Sequence, residues 1–284
     1  MKVGFIGLGD MGGAMARRII DAGFPTVLWA RRPEVLAAYD AANVETAASP
    51  AELAARVDVV CICVWADHDV RDVLERDDGV LAGCGPGTVV AVHSTTEPAT
   101  CRALARVAAE RGVVLLDVPV SGGRDVALAG NLTVAVGGDE DAAARCRPVF
   151  ESFGDPVLHV GPVGTAQLVK LVNNTLFTAN LAMADDALAL GDAVGVRRDA
   201  LVEMLRHGSG RSYALDIAVA ARASAAIREA ARPALEKDVS SLTVDAASRG
   251  GTEGELLVQA AREALRRLAD PPAGWATGDA ASGG

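Results

Sequence analysis

Lys170 and Asn174 lie four residues apart in the run Gly164-Thr-Ala-Gln-Leu-Val-Lys170-Leu-Val-Asn-Asn174, which reads as helix. On a helix that spacing stacks two side chains on one face. A lysine can give or take a proton and an amide can orient a polar ligand, so the two form a candidate acid/base and binding pair. A lone helix lysine is ordinarily solvated, and the pair gains chemical meaning only from the chain around it.

The second constellation is Gly7-Leu8-Gly9-Asp10-Met11-Gly12. A strand, Val3 to Ile6, runs into it and a helical pattern, Ala14 to Ile20, runs out, which is the context that a dinucleotide-binding turn requires. The first glycine permits the tight turn, the second lets backbone approach a pyrophosphate, and the third lets helix pack on strand; the helix N-terminus adds amide donors. The next strand, Thr26 to Trp29, ends in Ala30-Arg31-Arg32-Pro33. An NAD site usually carries Asp or Glu there for the ribose 2′-hydroxyl. Two arginines suit a 2′-phosphate instead, so NADP(H) is the favoured cofactor and NAD(H) the other possibility. The plainer reading leaves Arg31 stacked on adenine or in solvent.

Two further loops hold polar groups at strand ends. Val89 to Val92 leads into His93-Ser94-Thr95-Thr96-Glu97-Pro98, whose hydroxyls serve either as helix caps or as ligand contacts at the carboxyl end of a parallel strand. Val113 to Val118 delivers Asp117-Val-Pro119-Val-Ser121-Gly122-Gly123, where small residues expose amides that can receive a carboxylate.

The elements that must position these groups follow from periodicity. Strand and helix patterns alternate to His159-Val160-Gly161-Pro162: helices at 33–41, after Ser49-Pro50, at 67–75 and 140–153, with strands near Val44 and at 57–64, 132–136 and 157–160. From Gly164 the pattern is helical to about Ala193, then at 198–205, 214–221, 235–248 and 253–268. This predicts an α/β fold, an N-terminal doubly wound Rossmann-type sheet over 1–163 followed by an all-helical domain over 164–270 that serves substrate binding and dimerisation, with a disordered tail over 271–284.

Composition narrows the functions. The 284 residues are half apolar with few aromatics, so the cores are Ala, Val and Leu packing. A net charge of −10 argues against a nucleic-acid partner. Five cysteines lack metal-ligand spacing and read as reduced core residues, and His68, His93, His159 and His207 are scattered, so no metal site is expected. Met1-Lys-Val-Gly-Phe-Ile opens a strand without a signal pattern and no apolar run suits a membrane span, so a cytoplasmic protein is expected.

These motifs in this order resemble the β-hydroxyacid dehydrogenases, which include 3-hydroxyisobutyrate dehydrogenase and tartronate semialdehyde reductase, with 6-phosphogluconate dehydrogenase as a larger relative. The likeness runs over about residues 1 to 268 and rests on the Gly7–Gly12 turn, Ser94-Thr95, Asp117 to Gly123, Gly164 to Asn174, and Lys237-Asp238. The resemblance implies Lys170 as the catalytic acid/base and Asn174 as a substrate-holding group. It implies that Ser121, Gly122 and Gly123 hold the substrate carboxylate, that Thr95 lines the site beside the nicotinamide, and that Lys237 closes over the cofactor. It also implies a homodimer or higher homo-oligomer, to which the apolar stretch Leu181 to Leu190 points independently.

Departures bear on the substrate. Where the family usually has Leu-Pro beside the cofactor, this chain has Val64-Trp65, and after Ser-Gly-Gly it has Arg124-Asp125. The expected activity is hydride transfer between NADP(H) and a small β-hydroxy acid or its semialdehyde. An imine reductase-like enzyme is the alternative, although such relatives generally carry another residue at the lysine position. A non-catalytic nucleotide-binding module is the other, and Lys170 with Asn174 in register argues against it.

Overall fold

Alternate residues of the short N-terminal strands are buried on opposite sides, so each strand contributes to two cores. The computed structural model describes residues 1–248, 254–272 and 275. It divides into two compact units, Met1–Lys170 and the residues from Leu171 onward.

The first unit runs β1 (Val3–Ile6), α1 (Asp10–Asp21), β2 (Thr26–Trp29), a 3-10 turn (Pro33–Ala38), β3 (Val44–Thr46) and α2 (Pro50–Ala54). It continues through β4 (Val59–Ile62), α3 (Asp67–Glu75), α4 (Val80–Gly83), β5 (Val89–Val92), α5 (Pro98–Ala109) and β6 (Val114–Asp117). Then come β7 (Val120–Ser121), α6 (Arg124–Leu128), β8 (Leu132–Gly137), α7 (Glu140–Phe150), β9 (Gly154–Gly161) and the start of α8 (Thr165–Ala193). The second unit holds the rest of α8 with α9 (Arg198–His207), α10 (Tyr213–Ala223), α11 (Ala225–Ser248) and α12 (Glu255–Ala269).

Among the described residues the strands form one sheet in the order β3-β2-β1-β4-β5-β6-β8-β7, with β9 paired to β8. The six strands from β3 to β6 are parallel. One core packs Val3, Phe5, Val59, Cys61, Val89 and Ala91 with α1 and α7, and the other packs Ile6, Val60, Ile62, Val90 and Val92 with α2, α3 and α5. Helices on both faces of a parallel sheet make the doubly wound fold. At its far side β6 and β7 pair with β8 antiparallel in one unbroken register: Asp117 opposite Gly137, Val120 opposite Val134, Ser121 opposite Thr133. The second unit buries Leu181, Leu188, Val202, Leu215, Leu235 and Leu268 together.

Several predicted boundaries change. The helix expected over 33–41 is a short 3-10 turn, and the strand expected over 57–64 is limited to Val59–Ile62. The helix expected from Leu235 starts at Ala225 and carries Pro233 within it. β7 and α6 lie outside the expected elements, because two and five residues are too few to show a strand or helix period. Of the tail expected to be disordered, residues 273–274 and 276–284 lie outside the described residues. Trp275 is described and buried, with the guanidinium carbons of Arg222 and Arg228 at 5.6 and 5.4 Å from its ring centre. Those arginines give an aromatic ring a cationic lid.

The cysteines are free, and burial pushes the thiols of Cys63 and Cys101 up to about 12 and those of Cys84 and Cys146 to about 11. At neutral pH they are packing residues and not thiolate nucleophiles. His93 is also in the core, stacked on Phe5 and edge-on to Phe150 and Phe153, with Nδ1 donating to the Val118 carbonyl at 2.9 Å. Its Nε2 is buried without a partner, and burial lowers its pKa to about 4. Between that value and the usual pKa of about 6.5, the unfolded chain binds a proton that the folded chain excludes. Stability is therefore lost as pH falls through this window, by up to about 3 kcal/mol. His93→Phe should flatten the fall in unfolding free energy from pH 6.5 to pH 4 relative to the parent chain, as read by urea titration at each pH.

Candidate active site

The parallel register sets the carboxyl ends of four strands in a row. Ile6 lies opposite Ile62, Ile62 opposite Val92, and Val92 opposite Asp117. The loops that follow are tied by the same ladder: Cys63 N donates to Ile6 O, His93 N to Ile62 O, and Val118 N to Val92 O. Because the chain passes from β1 to β2 and β3 and then returns to β4 on the other side of β1, the crevice beside β1 is a topological switch point, where open α/β sheets take ligands.

The turn after β1 fits a dinucleotide. Gly7 has φ +96°, and a side chain there would overlap the Cys63 carbonyl. At Gly12 a side chain would overlap the Gly7 carbonyl, so the start of α1 packs directly on the turn. Gly9 is exposed and meets nothing within 4 Å, which leaves its backbone open to a phosphate at the helix N-terminus. Leu8 and Met11 pack against the core below, while Asp10 is exposed. Arg31 and Arg32 follow β2 and are exposed. A carboxylate that the local sequence did not reveal stands near the first of them: Asp69, from α3, lies 3.6 Å from Arg31 Nη1.

On the other side of β1, Val64 is half-buried and donates its backbone N–H to Ser94 Oγ at 2.8 Å, so the loops after β4 and β5 are joined. Trp65 is exposed, and Thr95 is half-buried. The loop after β6 continues through β7 to Ser121, Gly122 and Gly123, where φ of +143° and +85° turns the last two residues toward α6. Arg124 opens that helix and lies 3.5 Å from Asp10 Oδ1, so the small-residue loop and the dinucleotide turn are neighbours.

Asp117 closes the arrangement. It is fully buried, and its Oδ1 and Oδ2 accept from the backbone amides of Gly164 at 2.7 Å and Gln167 at 3.0 Å. A strand-end carboxylate thus caps the first turn of α8, replacing the local Ser or Asp of an ordinary N-cap. Burial lifts its pKa above the usual carboxylate value, and the Gly164 and Gln167 amides pull the other way. Gly137 is what makes the approach possible, since a side chain there would overlap the carboxylate. Lys170, half-buried, stands one turn beyond Gln167.

In the second unit Asn174 donates its side-chain amide to Asp238 Oδ2 at 2.6 Å. Asp238 is buried, and Lys237 Nζ lies 3.8 Å from its other oxygen. The residues that sequence reasoning left without a role are Asp117, Gln167 and Asp238. An Asp ending an otherwise apolar strand was the one signal available for the first.

A glycine turn at the switch point of a doubly wound sheet, followed by a long helix capped from that sheet, defines a nicotinamide-dinucleotide oxidoreductase. Residues 2–161 match the NAD-binding domain of 6-phosphogluconate dehydrogenase, and residues 164–273 match the NAD-binding domain of NADP-dependent 3-hydroxyisobutyrate dehydrogenase. The chain is 38% identical over 216 residues to the NAD-dependent L-serine dehydrogenase of Pseudomonas aeruginosa, covering 76% of this chain and 72% of that one. It is 35% identical to the 2-(hydroxymethyl)glutarate dehydrogenase of Eubacterium barkeri over the same shares. Among solved structures, the 3-hydroxyisobutyrate dehydrogenase of Mycobacterium tuberculosis with L-serine superposes with a TM-score of 0.81 at 27% identity, covering 95% of this chain and 94% of that one. The chain belongs to the NAD(P)-dependent β-hydroxyacid dehydrogenase family.

Asp117→Ala should leave the Gly164 and Gln167 amides buried without an acceptor, at a cost of about 2 to 4 kcal/mol in urea unfolding. Asp117→Asn keeps one acceptor and the shape and should recover part of that loss; equal stability of all three proteins would remove the cap from the account.

Proposed function

We propose that this enzyme moves a hydride between NADP(H) and a small β-hydroxy acid or its semialdehyde, with Lys170 as the general acid/base group. The observation that carries the reading is the anchoring of the Lys170 helix by Asp117, at the same sheet edge as the Gly7–Gly12 turn. Substrate class is supported by the relatives' names: L-serine and 2-(hydroxymethyl)glutarate each carry a hydroxymethyl group next to the carbon that bears a carboxylate.

Bound nicotinamide supplies or accepts the hydride. In the reductive direction the Lys170 ammonium gives a proton to the carbonyl oxygen as negative charge develops there, and in the oxidative direction the neutral amine takes the hydroxyl proton. Ser121 and the amides of Gly122 and Gly123 hold the carboxylate. Asn174 orients the reacting end, with its own rotation fixed by the bond to Asp238. By the family resemblance Thr95, Val64 and Trp65 would border the nicotinamide, and Lys237 would contribute to holding the cofactor. Lys170→Ala should lower turnover about 100-fold or more with NADPH affinity unchanged, and Lys170→Arg should not restore it, because guanidinium stays protonated. Retained turnover in a folded Lys170→Ala protein would remove the lysine from the mechanism.

Arg31 and Arg32 are the basis for a preference for NADPH. Asp69 offsets part of the Arg31 charge, and a charge-assisted pair with a 2′-phosphate still outweighs a neutral hydroxyl contact. A dissociation constant roughly 10-fold lower for NADPH than for NADH corresponds to about 1.4 kcal/mol. Calorimetry giving equal constants, or tighter NADH, counts against this assignment.

Assembly as a homo-oligomer is part of the proposal. Leu181 and Leu188, in the apolar stretch, are core residues, whereas Leu176, Met183 and Leu190 recur every seventh residue of α8 and are 50%, 52% and 64% exposed. An apolar stripe of that spacing suits a second helix. Light scattering should give a dimer or larger species, and a monomer at working concentration is the contrary result. Free thiols suit a reducing compartment, for which the cytoplasm is proposed. Among the described residues, no helix is long and apolar enough to cross a membrane.

A further inference from the structure

Gln167 is fully buried, and both ends of its side-chain amide are in use. Its Nε2 donates to the Ser94 carbonyl at 2.9 Å, and its Oε1 accepts from the Thr96 amide at 3.1 Å. These two bonds bracket Thr95. A helix side chain thereby gives the loop the pairing that a neighbouring strand would otherwise supply. The loop is fixed from its other sides as well, by Val64 N to Ser94 Oγ at 2.8 Å and by Glu97 N to Asp67 Oδ1 at 3.0 Å. Gln167's backbone amide is held by Asp117, so the side chain reaches out from the most firmly anchored turn of α8.

Packing alone does not call for such a residue. A leucine would fill similar space without burying a donor and an acceptor, each of which is costly when unpaired. The amide is specific because one end must donate and the other accept, and only one orientation of it satisfies both Ser94 and Thr96.

We propose that Gln167 is the positioning residue that sets Thr95 relative to Lys170. The inference rests on the reading above in which Lys170 moves the proton and Thr95 borders the nicotinamide. Gln167 touches neither substrate nor cofactor; it acts through the loop. Being three residues from Lys170 on one helix, it converts the position of the proton donor into the position of the loop. A shift of the loop by a fraction of an ångström then alters the alignment of proton and hydride transfer and leaves the dinucleotide turn untouched.

Two variants test this. Gln167→Leu removes both bonds and should lower kcat about 10- to 100-fold, with the NADPH dissociation constant within about twofold of the parent value. Gln167→Glu adds a titratable group among Asp117 on β6, Cys101 and Arg102 on α5 and Asp67 on α3. Cys101 is protonated, its thiol pushed up to about 12 by burial, and Arg102 lies against Gly164. When protonated, the introduced carboxyl can donate to Ser94 and accept from Thr96 as the amide does; when ionised, it turns an acceptor toward a carbonyl. Burial and Asp117 favour its neutral form. Relative to the parent enzyme at each pH, Gln167→Glu should therefore approach full kcat under acid conditions and lose it through an added ionisation as pH rises. Exchange of the Thr96 amide hydrogen should quicken in Gln167→Leu, and in Gln167→Glu only at the higher pH.

A parent-like kcat in Gln167→Leu, or a parent-like pH profile in Gln167→Glu, overturns the proposal. If Gln167→Leu does not fold, the Gln167→Glu profile decides alone. If Lys170→Ala is inactive while Gln167→Leu is fully active, this inference falls and the catalytic assignment stands. If Lys170→Ala retains turnover, the catalytic assignment falls and takes with it the link from Gln167 to Lys170, and Thr96 exchange still decides whether Gln167 holds the loop.

Discussion

The buried carboxylate of Asp117 sits at the end of a parallel strand and accepts the first free amides of the longest helix among the described residues. Sheet and helix are thereby joined by a short, charge-assisted contact with defined direction, where hydrophobic packing would leave latitude to slide or rotate. The arrangement requires Gly137 beneath the carboxylate and, at Gly164, a residue that tolerates φ of +91°. Burying a carboxylate is costly, and the two amides plus the positive end of the helix offset that cost. Everything proposed for Lys170 depends on this joint, because the lysine lies one and a half turns into the helix that it orients.

Around that joint the site-forming loops are bound to one another by hydrogen bonds between neighbouring strand ends. Val64 is tied to Ser94, Ser94 and Thr96 to Gln167, and Gln167 to Asp117. The dinucleotide turn needs less support: Gly7 and Gly12 let backbone lie directly on backbone, and Gly9 stays open. Preorganisation of this kind lets a binding surface present fixed dipoles at no reorganisation cost when ligand arrives. Arg124, at the start of α6, and Trp65, in the loop after β4, are both exposed.

Local patterns made much of this legible. Four-residue apolar strands separated by turn residues announced the sheet, and Gly-x-Gly-x-x-Gly between strand and helix announced the cofactor turn. The 29-residue α8 was visible because its polar residues never break the helical run. The contacts that set geometry were not visible, since Asp117 and Gly164 are 47 positions apart and Gln167 and Ser94 are 73 apart. The helical pattern was read only from Leu235, whereas α11 begins at Ala225 and runs through Pro233. Asp69 was hidden for the same reason: only folding brings α3 beside Arg31. The pair Lys237-Asp238 was visible as a motif, and its second residue is the buried partner of Asn174, a contact that only folding reveals.

The register shared by β6 and β7 against β8 has a consequence for how such an enzyme can diversify. The strand leaves the parallel sheet at Asp117 and, without losing step, becomes one side of an antiparallel ladder that ends at Ser121. Its two ends are therefore mechanically a single rod, with the helix anchor at one end and the proposed carboxylate subsite at the other. Changes that retune substrate choice are steered away from this rod, because moving either end moves both. They are channelled to the exposed positions of the short α6 and of the loop after β4, namely Arg124, Asp125, Leu128 and Trp65. On the proposed reading, residues such as Arg124 or Trp65 can be exchanged while the helix anchor and the carboxylate subsite keep their places.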